Sequence, residues 1–581
     1  MKNFNLIIYF VISKFYGLFI IAHCKDSFNE NLKVKPLSHN LVQVEFEFIL
    51  RRFFNRSSVD IYQYRNFDIF PRSFAQLVEP SNVSEFKVSL TQGNWRWKQW
   101  GAPISEAAPF GGRLTAWFDV DDSNLHDISL LREEETQLQS QWKLLSSSLS
   151  GYLCGSFSFI EDQHNTFSPS FSFEPTGKAH FSSEGSYKRE QLLLRTHKSK
   201  RYSMWLDSLF SSSVSKKNPC EKKRANQKLF LSHYPIERVC TENLLPLLRL
   251  LPCRSAQGLS SLIDPSKLFS AKYTSLSLFW KRYCPYEKSL CDVRSGELVV
   301  TVSYVTEREP LSLGNSLLHF LFKNSFSQLD SCALAEQSYV SFDPDGSGIF
   351  AITKTIQEVK DGLLMDENNT FLQKEKEKEK ERKYWLWDSK FPVEMERRLT
   401  GSGKQKRGIL VHLRNNMKGN ISVTYLETLP WQMQPFLHSL AVTSKAGNRE
   451  NILQFVNYIP SIDRNRSALL ELVCVLPSAS EVTISFDMYT KFLRYLEYPY
   501  DPHRGFHMGP AALIIRGLPA EFFQVTNKRA VVMYSSNLVV LIPAPDFSMP
   551  YNVVSLTSVL LTFFFTLLTG NVVRMWKVSE S

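Results

Sequence analysis

The nine cysteines of this 581-residue chain are the residues whose placing most invites chemistry. Cys240 and Cys253 bracket a compact apolar segment, Val239-Cys-Thr-Glu-Asn-Leu-Leu-Pro-Leu-Leu-Arg-Leu-Leu-Pro-Cys253. Cys284 and Cys291 stand seven apart around Pro285, a spacing that a short disulfide loop can close. Cys253 and Cys332 are further candidates for internal pairing, and a Cys240–Cys253 pair is open as well. Cys154 lies in Gly151-Tyr-Leu-Cys-Gly-Ser-Phe-Ser-Phe-Ile160, which reads as a buried strand, so an inert core thiol is expected there. Other chemistry is harder to assemble. His503 and His507 are four apart, but Pro502 and Gly505 disfavour the helix that would aim both at one metal. Asp343 and Asp345 open like a calcium loop, yet the twelfth position is Lys354 where a bidentate Glu is needed, so the stretch reads as a turn. There is no G-x-S-x-G, no H-E-x-x-H and no phosphate-cradling glycine loop, and nothing marks a Cys–His nucleophilic pair. The sequence therefore asks for no catalytic residue, no metal and no cofactor.

The elements that would position these residues are mostly strands. Apolar residues alternate over Leu41–Phe54 and again over Glu85–Thr91, the period of a half-buried strand. Arg72–Val78 reads as one or two helical turns. Ile128, Leu131, Leu138, Trp142, Leu145 and Leu149 recur at helical spacings opposite Arg132, Glu133 and Glu134, the best amphipathic helix of the body. Hairpin-like pairs follow: Ser338–Phe342 with Ile349–Ile356, and His438–Thr443 with Ile452–Ile459; Glu481–Met488 is a further strand. Trp95, Trp97 and Trp100 are interleaved with Arg96 and Lys98, which puts indoles on one side and cations on the other. That pattern has two readings: an aromatic face packed in the core, or an interaction surface for a lipid headgroup or protein partner. Many short strands with few helices give a mainly β chain of β-sandwich-like domains.

Both ends of the chain read as membrane signals. Val553–Val573 holds no charged residue and at 1.5 Å per residue spans roughly 30 Å, the thickness of a bilayer core. Its Thr and Ser hydroxyls can bond carbonyls one turn back. Arg574, Trp576 and Lys577 close the run, favouring a retained anchor over a removable lipid-anchor signal and placing the tail 574–581 in the cytoplasm. Met1-Lys2-Asn3 and the apolar run Phe4–Ala22, broken by Lys14, read as a signal peptide over 1–24. The expectation is a single-pass type I protein with a lumenal or extracellular body, where disulfides can form. Asn55, Asn82, Asn368, Asn420 and Asn465 are N-glycosylation candidates that agree with such a body.

The net charge of +11 is local, since Arg195–Lys228 carries ten Lys/Arg against Asp207 and Glu221. With a lumenal topology this argues against a nucleic-acid partner. The aperiodic, basic stretch 187–231 is expected to be an insertion between an N-terminal β-rich domain, 25–186, and a C-terminal one, 232–545. Lys374–Lys383 alternates Lys and Glu and suits a short solvated helix.

Several ordered stretches are similar to one known family. They are Ser89-Leu-Thr-Gln-Gly-Asn-Trp-Arg-Trp-Lys-Gln-Trp-Gly-Ala-Pro103, Leu149-Ser-Gly-Tyr-Leu-Cys154, Val239-Cys-Thr-Glu-Asn-Leu244, Leu251-Pro-Cys253, Leu426-Glu-Thr-Leu-Pro-Trp431, Tyr500-Asp-Pro-His-Arg-Gly-Phe-His507 and Pro545-Asp-Phe-Ser-Met-Pro-Tyr-Asn-Val553. In this set the chain resembles the PIG-T family of the glycosylphosphatidylinositol (GPI) transamidase complex. The resemblance implies a non-catalytic scaffold in the endoplasmic reticulum membrane, working beside a separate cysteine-protease-like subunit, PIG-K. The substrates implied for the complex are a proprotein signal peptide and the GPI lipid. It further implies an intersubunit disulfide to PIG-K through the cysteine of Val-Cys-Thr-Glu-Asn-Leu, here Cys240. The basic segment with Cys220 departs from the family pattern, and Cys220 could compete for the same partner. Cys474 has no family counterpart and reads as a buried thiol. The residues alone also fit a type I cell-surface adhesion or receptor protein with a β-sandwich ectodomain.

Overall fold

In Leu41–Arg52 the residues Val42, Val44, Phe46, Phe48 and Leu50 are fully buried, as a two-residue side-chain period requires when one strand face meets a core. The same alternation repeats along most of the chain. The fold is that of a computed structural model, which describes residues 26–52, 68–120, 128–155, 165–176, 226–237, 239–253, 257–282, 295–307, 318, 321–322, 329–343, 352–356, 358, 391–403, 405–444, 452–498, 504–516, 518, 530–543 and 548–578.

Ten strands form one sheet: β1 (Ser27–Leu37), β2 (Leu41–Arg52), β3 (Val83–Gln92), β4 (Gly111–Val120), β5 (Thr166–Phe167), β6 (Asn226–Tyr234), β7 (Tyr273–Arg282), β8 (Gly296–Glu307), β9 (Gln337–Phe342) and β10 (Ile352–Thr355). Their order is β10-β9-β1-β2-β8-β7-β3-β4-β6-β5. The β1–β9 pair is parallel, and β9–β10 is the antiparallel pair the sequence predicts, with Ile352 opposite Phe342. Helices cover one face of this sheet. Phe74, Leu138, Trp142, Leu145, Leu149, Leu244 and Leu247 share a core with Phe46, Phe48, Phe86 and Leu276. The Trp142 indole stacks on Phe230 of β6 at 5.6 Å.

The long helix runs over Ile128–Leu153, so Gly151–Leu153 is its last turn and not the start of a strand. Leu145, Leu149 and Leu153 continue one apolar face and are all buried, which holds the segment helical. Cys154 then ends it in the left-handed region, at φ 51°. Its side chain is exposed, so the expectation of a core thiol is corrected.

The second half is a two-sheet sandwich. Its strands are β11 (Val393–Thr400), β12 (Lys406–Asn415), β13 (Ile421–Leu429), β14 (Met433–Ser444), β15 (Leu453–Ile459), β16 (Ala468–Leu476), β17 (Glu481–Thr490), β18 (Phe506–Met508), β19 (Ala512–Arg516), β20 (Ala530–Tyr534) and β21 (Leu538–Val540). One sheet is ordered β11-β12-β17-β14, the facing one β15-β16-β13-β19-β20, and β18 pairs with β21. Ile409, Val411 and Ile484 of the first meet Val423, Tyr425 and Leu472 of the second in a common core. The hairpin expected from His438–Thr443 and Ile452–Ile459 is absent. β14 pairs with β17 and β15 with β16, so the chain crosses from one sheet to the other. Alternation identifies a strand but does not choose its partner.

The stretch 187–231 does not separate two sheets. β6 to β10 enter the same sheet that β1 to β5 begin, because β7 and β8 insert between β3 and β2. Residues 187–225 and the Lys374–Lys383 run lie outside the described residues.

Among the contacts that weld the sheet to the sandwich, two stand out. Phe391, at the mouth of the sandwich, packs on Trp97 at 4.8 Å between ring centres. The other is a carboxylate clasp. Glu471 of β16 is fully buried and accepts from the backbone N–H of Ser170, Phe171 and Ser172, from the Ser172 hydroxyl and from the Asn457 amide. Arg516 of β19 donates to the Phe171 carbonyl at 2.8 Å, and Phe171 packs on Phe455 of β15 at 4.7 Å.

The chain closes with a helix over Ser548–Val578. Within it Met549–Val573, of mean hydropathy 2.0, is long and apolar enough to cross a membrane. Its large apolar side chains are exposed along the whole length. Thr557, Ser558, Thr562 and Thr566 each donate to the carbonyl four residues back, so their hydroxyls present no unmet polarity to lipid.

Candidate functional site

Cys240 sits immediately before the helix Thr241–Arg249, at its N-cap, in extended backbone. Its thiol is free and half-buried. Asn243, three residues on and completely buried, closes the turn: its Oδ1 accepts from the Cys240 backbone N–H at 3.1 Å and from Sγ at 2.9 Å. This is the reciprocal arm of a capping box, with Asn in the place usually held by Glu or Gln. The Asn243 Nδ2 donates to the carbonyls of Leu153, at 2.8 Å, and Cys154, at 3.2 Å. Those are carbonyls that the end of the long helix leaves unpaired. One amide therefore fixes the free thiol against the end of the long helix Ile128–Leu153. Sequence reasoning missed Asn243, although its place three residues after Cys240 was legible as a helix start.

Cys253, at the other end of this segment, is bonded to Cys332, 79 residues away. An internal Cys240–Cys253 pair is thereby ruled out: Cys253 is already committed, and Cys240 remains a thiol. The disulfide has a tightly filled surround. Gly258 adopts φ +74°, and a Cβ there would meet Glu30 Oε2 at 2.9 Å and the β-carbons of Cys253 and Cys332 at 3.1 and 3.2 Å. Glu30 of β1 is fully buried; it accepts from Leu259 N–H at 2.9 Å and Ser338 Oγ at 2.7 Å. Burial pushes its carboxyl above the usual range, and the two hydrogen bonds oppose that shift. Cys284, Cys291 and Cys220 lie outside the described residues.

The other thiols divide by exposure. Cys474 on β16 is buried, and desolvation pushes its pKa up to about 12, which leaves it unreactive at neutral pH. Cys154 is exposed and shares Asn243 with Cys240 through its carbonyl.

The tryptophan motif is a core element. Trp95, Trp97 and Trp100 are buried, Trp97–Trp100 forms one helical turn in place of a strand, and Trp95 donates its indole N–H to the Gly101 carbonyl. Trp95 also meets Trp100 at 5.1 Å and Tyr273 at 5.3 Å between ring centres. Arg96, Lys98 and Gln99 between them face solvent. The interaction-surface reading is corrected for the three indoles, because three large rings gain most by filling the junction with the sandwich. Among the glycosylation candidates, Asn82, Asn420 and Asn465 are exposed, and Asn55 and Asn368 lie outside the described residues. Asp343 is buried and its N–H donates to the Val34 carbonyl at 3.1 Å; Asp345 and His503 lie outside the described residues. Among the described residues no group of three or more His, Cys, Asp or Glu could hold a metal.

These features define a disulfide-stapled, mainly β body followed by a helix able to cross a membrane. The chain belongs to the family described as Gpi16 subunit, GPI transamidase component, whose model matches residues 13–198, 207–314 and 328–581. It is similar to the GPI-anchor transamidase component PIGT of Mus musculus, 28% identical over 94% of this chain and 90% of that one. It is 26% identical to the GPI transamidase component GPI16 of Saccharomyces cerevisiae, over 95% of this chain and 90% of that one. A solved exo-β-N-acetylglucosaminidase of Vibrio harveyi overlaps 27% of this chain and 19% of its own at TM-score 0.15 and 9% identity, a likeness that carries no argument. As a member of this family the chain is a component of a multi-subunit GPI-anchoring assembly, and its terminal helix fits a membrane protein.

Proposed function

We propose that this chain is the non-catalytic scaffold of the GPI transamidase. It holds the cysteine-protease-like PIG-K subunit beside the endoplasmic reticulum membrane while the complex exchanges a proprotein's C-terminal signal for the GPI lipid. In this reading the protein is single-pass and type I, with its body lumenal. Cys240 forms the intersubunit disulfide. The observation that carries the reading is that Cys240 is a free, half-buried thiol on a braced helix start, while its near neighbour Cys253 is consumed internally. A covalent tether fixed to a rigid body converts a bimolecular encounter into an intramolecular one, raising the effective concentration of the catalytic subunit to the millimolar range or above. The carbonyl grip of Asn243 keeps the thiol from swinging with a loose loop. Exposed Asn82 and Asn420 suit N-glycosylation of a lumenal body.

The test is complementation in cells that lack the endogenous subunit. The intact chain should restore a GPI-anchored surface reporter and retention of PIG-K in the complex. The purified chain alone should leave a proprotein signal uncleaved. Cleavage by the isolated chain would overturn the non-catalytic assignment.

A further inference from the structure

Two loops of the sandwich carry apolar side chains that stand exposed among the described residues. Phe492 is 66% exposed, Leu496 91% and Ile462 36%. The loops are braced at their base. Lys491 Nζ meets Asp463 Oδ1 at 2.5 Å and Ser461 Oγ at 3.3 Å. Arg464 Nη2 donates to Glu497 Oε2 at 3.0 Å, and the Arg464 guanidinium lies over the buried Trp431 ring at 5.2 Å. Glu497 also accepts from the Arg494 N–H at 2.7 Å. The apolar tips thus stand on a fixed platform, and their exposure is a property of the fold.

Their place along the chain says what covers them. The Tyr498 hydroxyl, two residues from Leu496, donates to the Pro543 carbonyl at 2.9 Å. The helix able to span a membrane begins at Ser548. Five residue steps reach at most about 18 Å when fully extended. The loop is therefore pinned to the chain just where it descends into the span. The cations of the two loops, Arg464, Arg466, Lys491 and Arg494, outnumber Asp463 and Glu497, which suits anionic headgroups around an apolar tip.

We propose that the loop Lys491–Tyr498 is a second membrane contact, with Phe492 and Leu496 entering the interfacial layer of the leaflet from which the terminal helix descends. A single helix leaves a body free to tilt and swivel on its stalk. A second point of insertion fixes one end of the sandwich to the bilayer and sets the orientation of the whole body above it. The alternative occupant, a surface of another subunit, is separated by the experiment.

The full chain, in its native membranes, carries photoreactive benzoylphenylalanine at position 496, at 492 in a second protein, and at exposed Leu130 of the long helix as the reference. After irradiation, adducts are identified by mass. Burying one leucine-sized side chain favours the lipid by about tenfold, so positions 496 and 492 should give about ten times the lipid adduct of position 130. Two variants keep the result readable if one fails to fold. Adducts to another polypeptide in place of lipid overturn the proposal, as does lipid labelling no greater than at position 130. Occupied Asn465, which lies in the Ile462–Arg466 turn, also overturns it, because a glycan there would hold the loop away from the bilayer.

Discussion

Arg397 Nη2 and Glu427 Oε1 meet at 2.5 Å with both side chains completely buried, joining β11 of one sandwich sheet to β13 of the facing one. Tyr425 also donates to Glu427, and Arg397 reaches the Gly509 carbonyl at 3.0 Å. Removing one partner of such a pair strands a charge in the core, at a cost of about 3–5 kcal/mol, whereas replacing both with apolar residues often costs little. Arg397→Met and Glu427→Leu should each lower the unfolding midpoint of the detergent-solubilised protein sharply, and the double variant should recover most of the loss. Additive losses in the double variant would show that the two side chains are not coupled.

The clasp at Glu471 predicts a local effect. With Glu471→Leu the backbone N–H groups of Ser170, Phe171 and Ser172 lose their shared acceptor, and each unmet buried donor costs about 1–3 kcal/mol. Limited proteolysis should then cut next to Phe171 well before the sandwich unfolds. Unchanged protection of that segment would mean that Arg516 and Phe455 hold it without the carboxylate.

Glu30 gives the pH dependence its sign. Burial raises its folded-state pKa above the unfolded value. Its stabilising share is thus fully present below the unfolded pKa and is lost as pH rises through the folded one. Glu30→Gln keeps the shape and removes the titration. It should raise the thermal midpoint at neutral pH and leave it nearly unchanged near pH 4; an equal shift at both pH values would contradict the burial argument.

The two cysteines at the ends of the Val239–Cys253 segment should separate in stability. The Cys253–Cys332 bond closes a loop of 79 residues, for which chain entropy gives about 4 kcal/mol of stabilisation. Cys332→Ser should therefore destabilise the body strongly, while Cys240→Ser, which breaks no internal disulfide and keeps a hydroxyl to donate to Asn243, should cost less than about 1 kcal/mol. Comparable losses in the two would place Cys240 in the fold instead of at its surface.

Local periodicity made much of this legible. The helix Arg72–Val78, the start of the long helix at Ile128, the strand Glu481–Thr490 and the apolar terminal helix all follow from spacing or length. Partner choice was not legible, because it is decided by contacts far apart in sequence. β14 and β15 read as a hairpin yet join different sheets, and Cys253 finds Cys332 past nearer cysteines. The tryptophans could face either way, since alternation fixes that they share a side and not which side is wet. Glu471, Arg397 and Glu427 were invisible as core residues, because a buried charge and a solvated one look alike in sequence. At the candidate site the motif pointed to Cys240, and only the structure added Asn243 and the disulfide that leaves Cys240 free.

The Cys240 tether is tested by non-reducing against reducing electrophoresis of the protein from membranes, with wild type beside Cys240→Ser, Cys220→Ser and Cys154→Ser. A tether at Cys240 should give a heavier band that contains PIG-K, collapses with reductant and is lost only in Cys240→Ser. A band that survives Cys240→Ser, or vanishes only with Cys220→Ser or Cys154→Ser, would contradict it.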